Sequence, residues 1–160
     1  MAEPRLKPAG KRAGSRAVAT VCVAAAGWLA MPATPAAADL PALHEALTDQ
    51  PGNPARGRQI VRDQGAASCL ICHAMPITEE PDHGNVGPPL HGVGSRYSVA
   101  ELRQRLVDPR SYNPETIMPS YYRTDGLYRV LGRFDGRPIY TAQQIEDVVA
   151  YLAGLREPAP

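Results

Sequence analysis

The run ASCLICHAMP, residues 67–76, sets two cysteines either side of two residues, with a histidine directly after the second. Few chemistries use two thiols and an imidazole at that spacing. A structural zinc site needs about four ligands, usually as two separate pairs. No second C-x-x-C exists, and the other histidines, His44, His83 and His91, are scattered singly. A thioredoxin-like redox pair belongs at the end of a strand in a βαβ unit. The residues before Cys69 read instead as a helix, NPARGRQIVRDQ, with Asn53 as N-cap, Pro54 at the first helical position and Gly65 placed to end it. The remaining chemistry is covalent haem attachment. Each thiol adds to one vinyl group to give a thioether, and the histidine of C-x-x-C-H binds the iron. Cys69 and Cys72 are then the attachment points of one haem c, and His73 is the first axial ligand.

The third cysteine, Cys22, does not disturb this reading. It lies in an apolar run, Ala17 to Met31, of 15 residues, preceded by Arg5, Lys7, Lys11, Arg12 and Arg16 and followed by Ala36-Ala37-Ala38. A basic start, a short apolar core and an A-x-A end make a secretory signal peptide. The run is too short and too alanine-rich for a span, which needs about 20 strongly apolar residues. Residues 1–38 are therefore expected to be cleaved, leaving residues 39–160 as one exported, periplasmic domain with no membrane anchor. Cleavage would leave 12 basic residues, all arginine, against 15 acidic ones. No basic run stands out, which argues against nucleic acid as a partner. A domain of this size builds only a modest core, and exported domains of this size often add disulfides or a bound group.

Haem iron has a second axial position. Met75 is excluded by reach, because two extended residues span only about 7 Å, too little to pass the haem edge from His73. The other methionine after residue 38 is Met118, in YNPETIMPSYY, 45 residues beyond His73. Asn113-Pro114 and Met118-Pro119 mark an irregular loop, which suits a ligand that must point inward. Met118 is thus expected as the second ligand, with His83 and His91 as rivals in polar and glycine-rich loops.

The rest of the chain reads as mostly helical. Ser98 with Glu101 forms a capping box for a helix over roughly 99–107, ending before Pro109. Thr141 with Gln144 forms another, opening a helix whose Ile145, Val148, Val149, Leu152 and Leu155 make an apolar stripe. The segment GNVGPPLHGVGSR reads as a loop packed by its own Val86, Leu90 and Val93. Residues 126–140 leave room for a short hairpin around Asp135-Gly136, with Pro138 confining it to an edge.

This assembled pattern resembles class I cytochrome c, an all-α fold of helices wrapped around one covalently attached haem. The resemblance spans roughly residues 53–155. It implies that the first and last helices cross, with Gly57 allowing close approach to Val148 and Tyr151. It also implies that Gly87-Pro88-Pro89-Leu90 is the family's G-P-x-L segment. The Pro88 carbonyl would then fix the His73 ring, and Leu90 would pack on the haem face. A narrower resemblance is to the SoxX family, the monohaem subunits of SoxAX complexes. It is carried by CLICHAMP, NVGPPLHGVGSRYS, AELRQRLVDPR, NPETIMPSYY and RPIYTAQQIEDVVAYL, in that order.

The SoxX resemblance implies a heterodimer with a SoxA-like cytochrome acting as an L-cysteine S-thiosulfotransferase in thiosulfate oxidation. Thiosulfate would be joined oxidatively to a cysteine of the SoxYZ carrier, with the reacting cysteine on SoxA. This chain would accept the electrons, pass them to a downstream cytochrome, and catalyse nothing alone. The residues by themselves specify only a c-type electron carrier, so a free electron shuttle is the alternative function. A thioether ligand is soft and favours Fe(II), which raises the potential relative to two histidines.

Overall fold

The computed structural model describes residues 42–156, all within one compact unit. The signal-peptide reading, including Cys22, lies outside the described residues. Among the described residues four helices carry the fold: α1 (Pro54–Arg62), α2 (Val93–Arg96), α3 (Val99–Val107) and α4 (Ala142–Gly154). Single 3-10 turns at Cys69–Ile71, Pro109–Ser111 and Gly132–Phe134 punctuate the loops. Among the described residues no helix is long and apolar enough to cross a membrane.

Each of the three longer helices begins where its residues dictate. The Asn53 side chain accepts from the backbone N–H groups of Ala55 and Arg56, and Pro54 occupies a position whose N–H would have had no partner. Ser98 and Thr141 both close reciprocal capping boxes, with Glu101 and Gln144. The end of α1 differs from expectation. Asp63 caps it in an extended conformation, and Gly65 instead donates its N–H to the Asp63 carboxylate at 2.8 Å. The short α2 stands where the sequence predicts only loop, because four residues carry no periodicity; Gly92, at φ 64°, turns the chain into it.

Helices α1 and α4 cross at Gly57. A Cβ there would collide with the Asp147 carbonyl and crowd the Tyr151 Cβ at 2.9 Å, so the crossing requires glycine. Val61 from α1 and Ile145, Val148, Val149 and Leu152 from α4 bury against Leu102 and Leu106 of α3. Two carboxylates inside this apolar seam act as pins. Asp147 accepts from the Asn53 N–H at 2.7 Å and from two nitrogens of Arg56 at 2.7 and 2.9 Å. Glu146 forms a two-pronged pair with Arg103 at 2.7 and 2.9 Å and also accepts from the Leu47 N–H at 2.9 Å. Arg103 in turn donates to the Leu43 carbonyl, so residues 43–53 are tied to α3 and α4. Burial works against the ionised form of both carboxylates, but these donors outweigh it and hold each below the usual carboxylate range.

The hairpin expected over 126–140 does not form. No described residue lies in a strand. Gly126, Arg129 and Gly136 all have φ near +60°, which breaks the extended backbone a ladder needs. Between residues 131 and 137 the backbone bonds are local, such as those from the Asp135 N–H to Gly132 and from the Arg137 N–H to Phe134. Tyr128 and Leu131 point outward instead of pairing on a common face.

Candidate functional site

Helix α1 delivers the chain to the cysteine motif through Ser68. Its Oγ donates to the Val61 carbonyl at 2.9 Å and accepts from the Leu70 N–H at 3.2 Å, capping the turn Cys69–Ile71. The Cys69 carbonyl accepts the N–H groups of both Cys72 and His73, so the motif closes on itself. The following loop then runs back along it. Gly84, Gly87 and Leu90 donate to the carbonyls of Leu70, Cys72 and Ala74, each at 2.8 Å. This places the Pro88 carbonyl 2.7 Å from His73 Nδ1. A carbonyl only accepts, so Nδ1 carries the proton and Nε2 keeps its lone pair for another partner. Gly87 is needed here as well, because a Cβ would collide with the His73 ring.

Cys69, Cys72, His73, Pro88, Leu90 and Met118 all line one cleft of about 730 Å³, with Val93, Leu102, Leu106 and Tyr121 among its apolar walls. Met118 comes from a loop held by Asn113. The Asn113 side chain accepts from the Glu115 N–H and its carbonyl from the Thr116 N–H, and Thr116 Oγ1 accepts from the Met118 N–H. The rival ligands lie elsewhere. His83 Nδ1 accepts from the Met75 N–H at 3.3 Å, and neither His83 nor His91 lines the cleft. Met75 is core, 2% exposed and outside the cleft lining. Of the three side chains expected to pack the 84–96 loop, Leu90 and Val93 do so, whereas Val86 is 63% exposed.

Burial pushes the Cys69 thiol up to about 11. A reactive thiol needs the opposite, a cationic and partly open surrounding that favours thiolate. Among the described residues no group of three or more His, Cys, Asp or Glu side chains is placed to hold a bare metal ion. The donor set suits a flat apolar group bound covalently at two sulfurs, with nitrogen and thioether donors for its metal.

Comparison with known proteins agrees. The cytochrome c family pattern matches residues 54–156. A chain in the crystal structure of SoxXA from P. pantotrophus is 36% identical, with a TM-score of 0.67, covering 72% of this chain and 90% of that one. The chain belongs to the cytochrome c family, as a SoxX-type member. Among curated proteins, none matches in sequence. As a cytochrome c it binds haem c covalently and transfers electrons, and its mostly helical architecture is the class I fold.

Three arrangements of this cytochrome c depend on partners far off in the chain, although Tyr121 itself, close after Met118, is a residue the sequence already places against the haem or the ligand loop. Tyr121, 5% exposed, stacks on Tyr140 behind the cysteine motif, and the Tyr140 hydroxyl donates to the Ala67 carbonyl at 2.9 Å. The ion pairs of the two buried α4 carboxylates, Glu146 with buried Arg103 and Asp147 with half-exposed Arg56, have no signal in local spacing either. Lastly, the Arg105 guanidinium lies over the rings of Tyr97 and Tyr112, 4.0 and 3.9 Å from their centroids, in the wall of the cleft. Spacing gave no hint of this last arrangement, because a 3-10 turn brings Tyr112 back to α3.

Proposed function

We propose that Cys69 and Cys72 hold the haem as thioethers and that His73 and Met118 are its axial ligands. We further propose that this chain is the electron-accepting subunit of a periplasmic SoxAX-type thiosulfotransferase. One observation carries the ligand assignment. Cys69, Cys72, His73 and a methionine 45 positions after His73 line the same cleft, while both rival histidines stay out of it. The Pro88 carbonyl supports His73 by fixing the tautomer that leaves Nε2 free.

Joining thiosulfate to a carrier thiol forms one S–S bond, breaks one S–H bond, and releases a proton and two electrons. Haem c supplies a one-electron Fe(III)/Fe(II) couple when bound, so this chain takes the two electrons singly. Its own residues contribute position and exclusion. The stacked tyrosines and the apolar walls keep water from the motif, and Asn113 and Thr116 shape the loop that presents Met118. With both cysteines spent as thioethers and both axial positions filled, no nucleophile remains for sulfur transfer. The reacting cysteine then belongs to a SoxA-like partner, the thiosulfate acceptor to a SoxYZ-like carrier, and the electrons go on to a further cytochrome.

The test is to incubate purified, haem-loaded residues 39–160 with thiosulfate and the carrier, with and without a SoxA-like partner, and follow the carrier's mass. The expected result is a thiosulfate-sized gain only with the partner present, together with reduction of this chain's haem. A gain without the partner would place the sulfur chemistry here, and partner turnover without haem reduction would favour the free-shuttle reading.

A further inference from the structure

A second cavity backs on the loop that carries Met118. It is a groove of about 610 Å³ between that loop and residues 127–139. Residues 115–119 line both the cleft and this groove, so a single loop separates the two. No residue of the four helices lines it.

The groove presents apolar side chains to water. Ile117, Tyr128 and Leu131 are 81%, 73% and 61% exposed, and Val130 beside them is exposed as well. The run from Tyr128 to Leu131 turns through Arg129, whose φ of 58° is uncommon for a residue with a Cβ. Large apolar side chains grouped on one face mark a contact surface, whereas single scattered ones do not.

The charge around the groove is one-sided. Arg110, Arg123, Arg129 and Arg137 line it against a single carboxylate, Glu115. Of these arginines only Arg123 has an ion-pair partner among the described residues, Asp108 at 3.5 Å. The chain after residue 38 carries 15 acidic residues against 12 basic ones, so this excess of cations is local. An apolar centre rimmed by unpaired guanidinium groups fits a protein face that is apolar in the middle and acidic at its edge.

Resting on the thiosulfotransferase reading above, we propose that this groove is the docking site of the SoxA-like subunit, which seats an apolar, acid-rimmed face against Ile117, Tyr128, Leu131 and the arginines. Two observations favour that subunit over a passing electron acceptor. Transient electron-transfer contacts are small, and lasting subunit interfaces are the more apolar ones, as the grouped apolar side chains require. The groove also shares its wall with the cleft, so a partner seated there delivers electrons from its own sulfur chemistry across one loop.

The experiment uses the haem-loaded chain as wild type, Leu131→Asp, Arg129→Glu with Arg137→Glu, Ile71→Asp and Val99→Asp. Haem attachment is verified in each by mass and by the visible spectrum. Binding to a purified SoxA-like subunit is then measured by calorimetry at low and high salt. Leu131→Asp is expected to weaken binding about tenfold or more. The double arginine reversal is expected to weaken it chiefly at low salt, where charge attraction is least screened. Ile71, in the cysteine motif, and Val99, on α3, are exposed apolar residues outside the groove, and their variants should bind as wild type. Wild-type affinity in both groove variants would overturn the proposal, as would loss of binding in Ile71→Asp alone. Should Leu131→Asp fail to load haem, the arginine reversal decides by itself. Wild-type dimers dissociated by Leu131→Asp, or lost electron transfer to an acceptor cytochrome with partner binding intact, would also overturn it. A wild type that binds no SoxA-like subunit would instead sink the partner reading on which the proposal rests.

Discussion

The ring of Tyr121 lies on that of Tyr140, with centroids 4.8 Å apart and planes 20° from parallel. The two backbone segments are also joined there, since the Tyr140 N–H donates to the Tyr121 carbonyl at 2.9 Å. Tyr121 follows the Met118 loop by three residues and lines the cleft, so this stack anchors the loop to the start of α4.

Replacing Tyr121 by Leu is expected to loosen that anchor. The stacking itself is worth about 0.5–1.5 kcal/mol beyond area. The iron–sulfur bond should weaken and the potential shift, read by the visible spectrum and by voltammetry. Tyr122, only partly buried and outside the cleft lining, should tolerate the same change. Unchanged spectra in both variants would assign the pair to packing alone.

The buried carboxylates predict an acid limit to stability. Glu146 and Asp147 have folded-state pKa values below their unfolded ones, so the unfolded chain binds protons more readily as pH falls. Their contribution is complete above about pH 5, given ordinary carboxylate values near 4, and drains away below that. Denaturant midpoints should be level from pH 7 to 5 and drop at more acidic pH. The drop should be shallower in a Glu146→Gln, Asp147→Asn variant, which starts from a lower plateau. Removing Arg103 alone strands Glu146 and should cost about 3–5 kcal/mol at pH 7.

Gly57→Ala tests the helix crossing. The added methyl meets the α4 backbone, which cannot swing aside as a side chain would. A loss of about 1–3 kcal/mol in unfolding free energy is expected. A neutral result would mean that α1 and α4 cross farther apart.

Much of this fold was legible because local chemistry and tertiary need agree. Asn53, Ser98 and Thr141 announced their helices through caps that work within one turn. The stripe from Ile145 to Leu152 marked the buried face of α4, while its crossing with α1 at Gly57 came from the resemblance to class I cytochrome c. What stayed hidden depended on distant or non-periodic partners. Glu146 and Asp147 look solvent-bound until Arg103 and Arg56 are brought to them. The 126–140 segment carries strand-forming residues, but left-handed conformations at Gly126, Arg129 and Gly136 override them. At the site, spacing singled out Cys69, Cys72, His73 and Met118, which the fold brings to one cleft. The Arg105 stack was not legible, since Tyr97 and Tyr112 flank α3 at opposite ends and meet only because the turn at Pro109–Ser111 folds Tyr112 back.

The cleft also predicts dependence of folding on the haem. A space of about 730 Å³ among Leu90, Val93, Leu102 and Leu106 is too large to leave unfilled in a small core. The Cys69→Ala, Cys72→Ala double variant should show strongly reduced helix content by circular dichroism. Normal helicity with a cooperative thermal transition would refute this.

Ligation of the iron by Met118 is tested most directly by the visible spectrum of oxidised Met118→Ala beside wild type and Met75→Ala. Wild type and Met75→Ala should both show the weak sulfur-to-iron band at the red end. Met118→Ala should lack it while its haem stays covalently attached. Survival of the band in Met118→Ala, or its loss in Met75→Ala, would contradict the assignment.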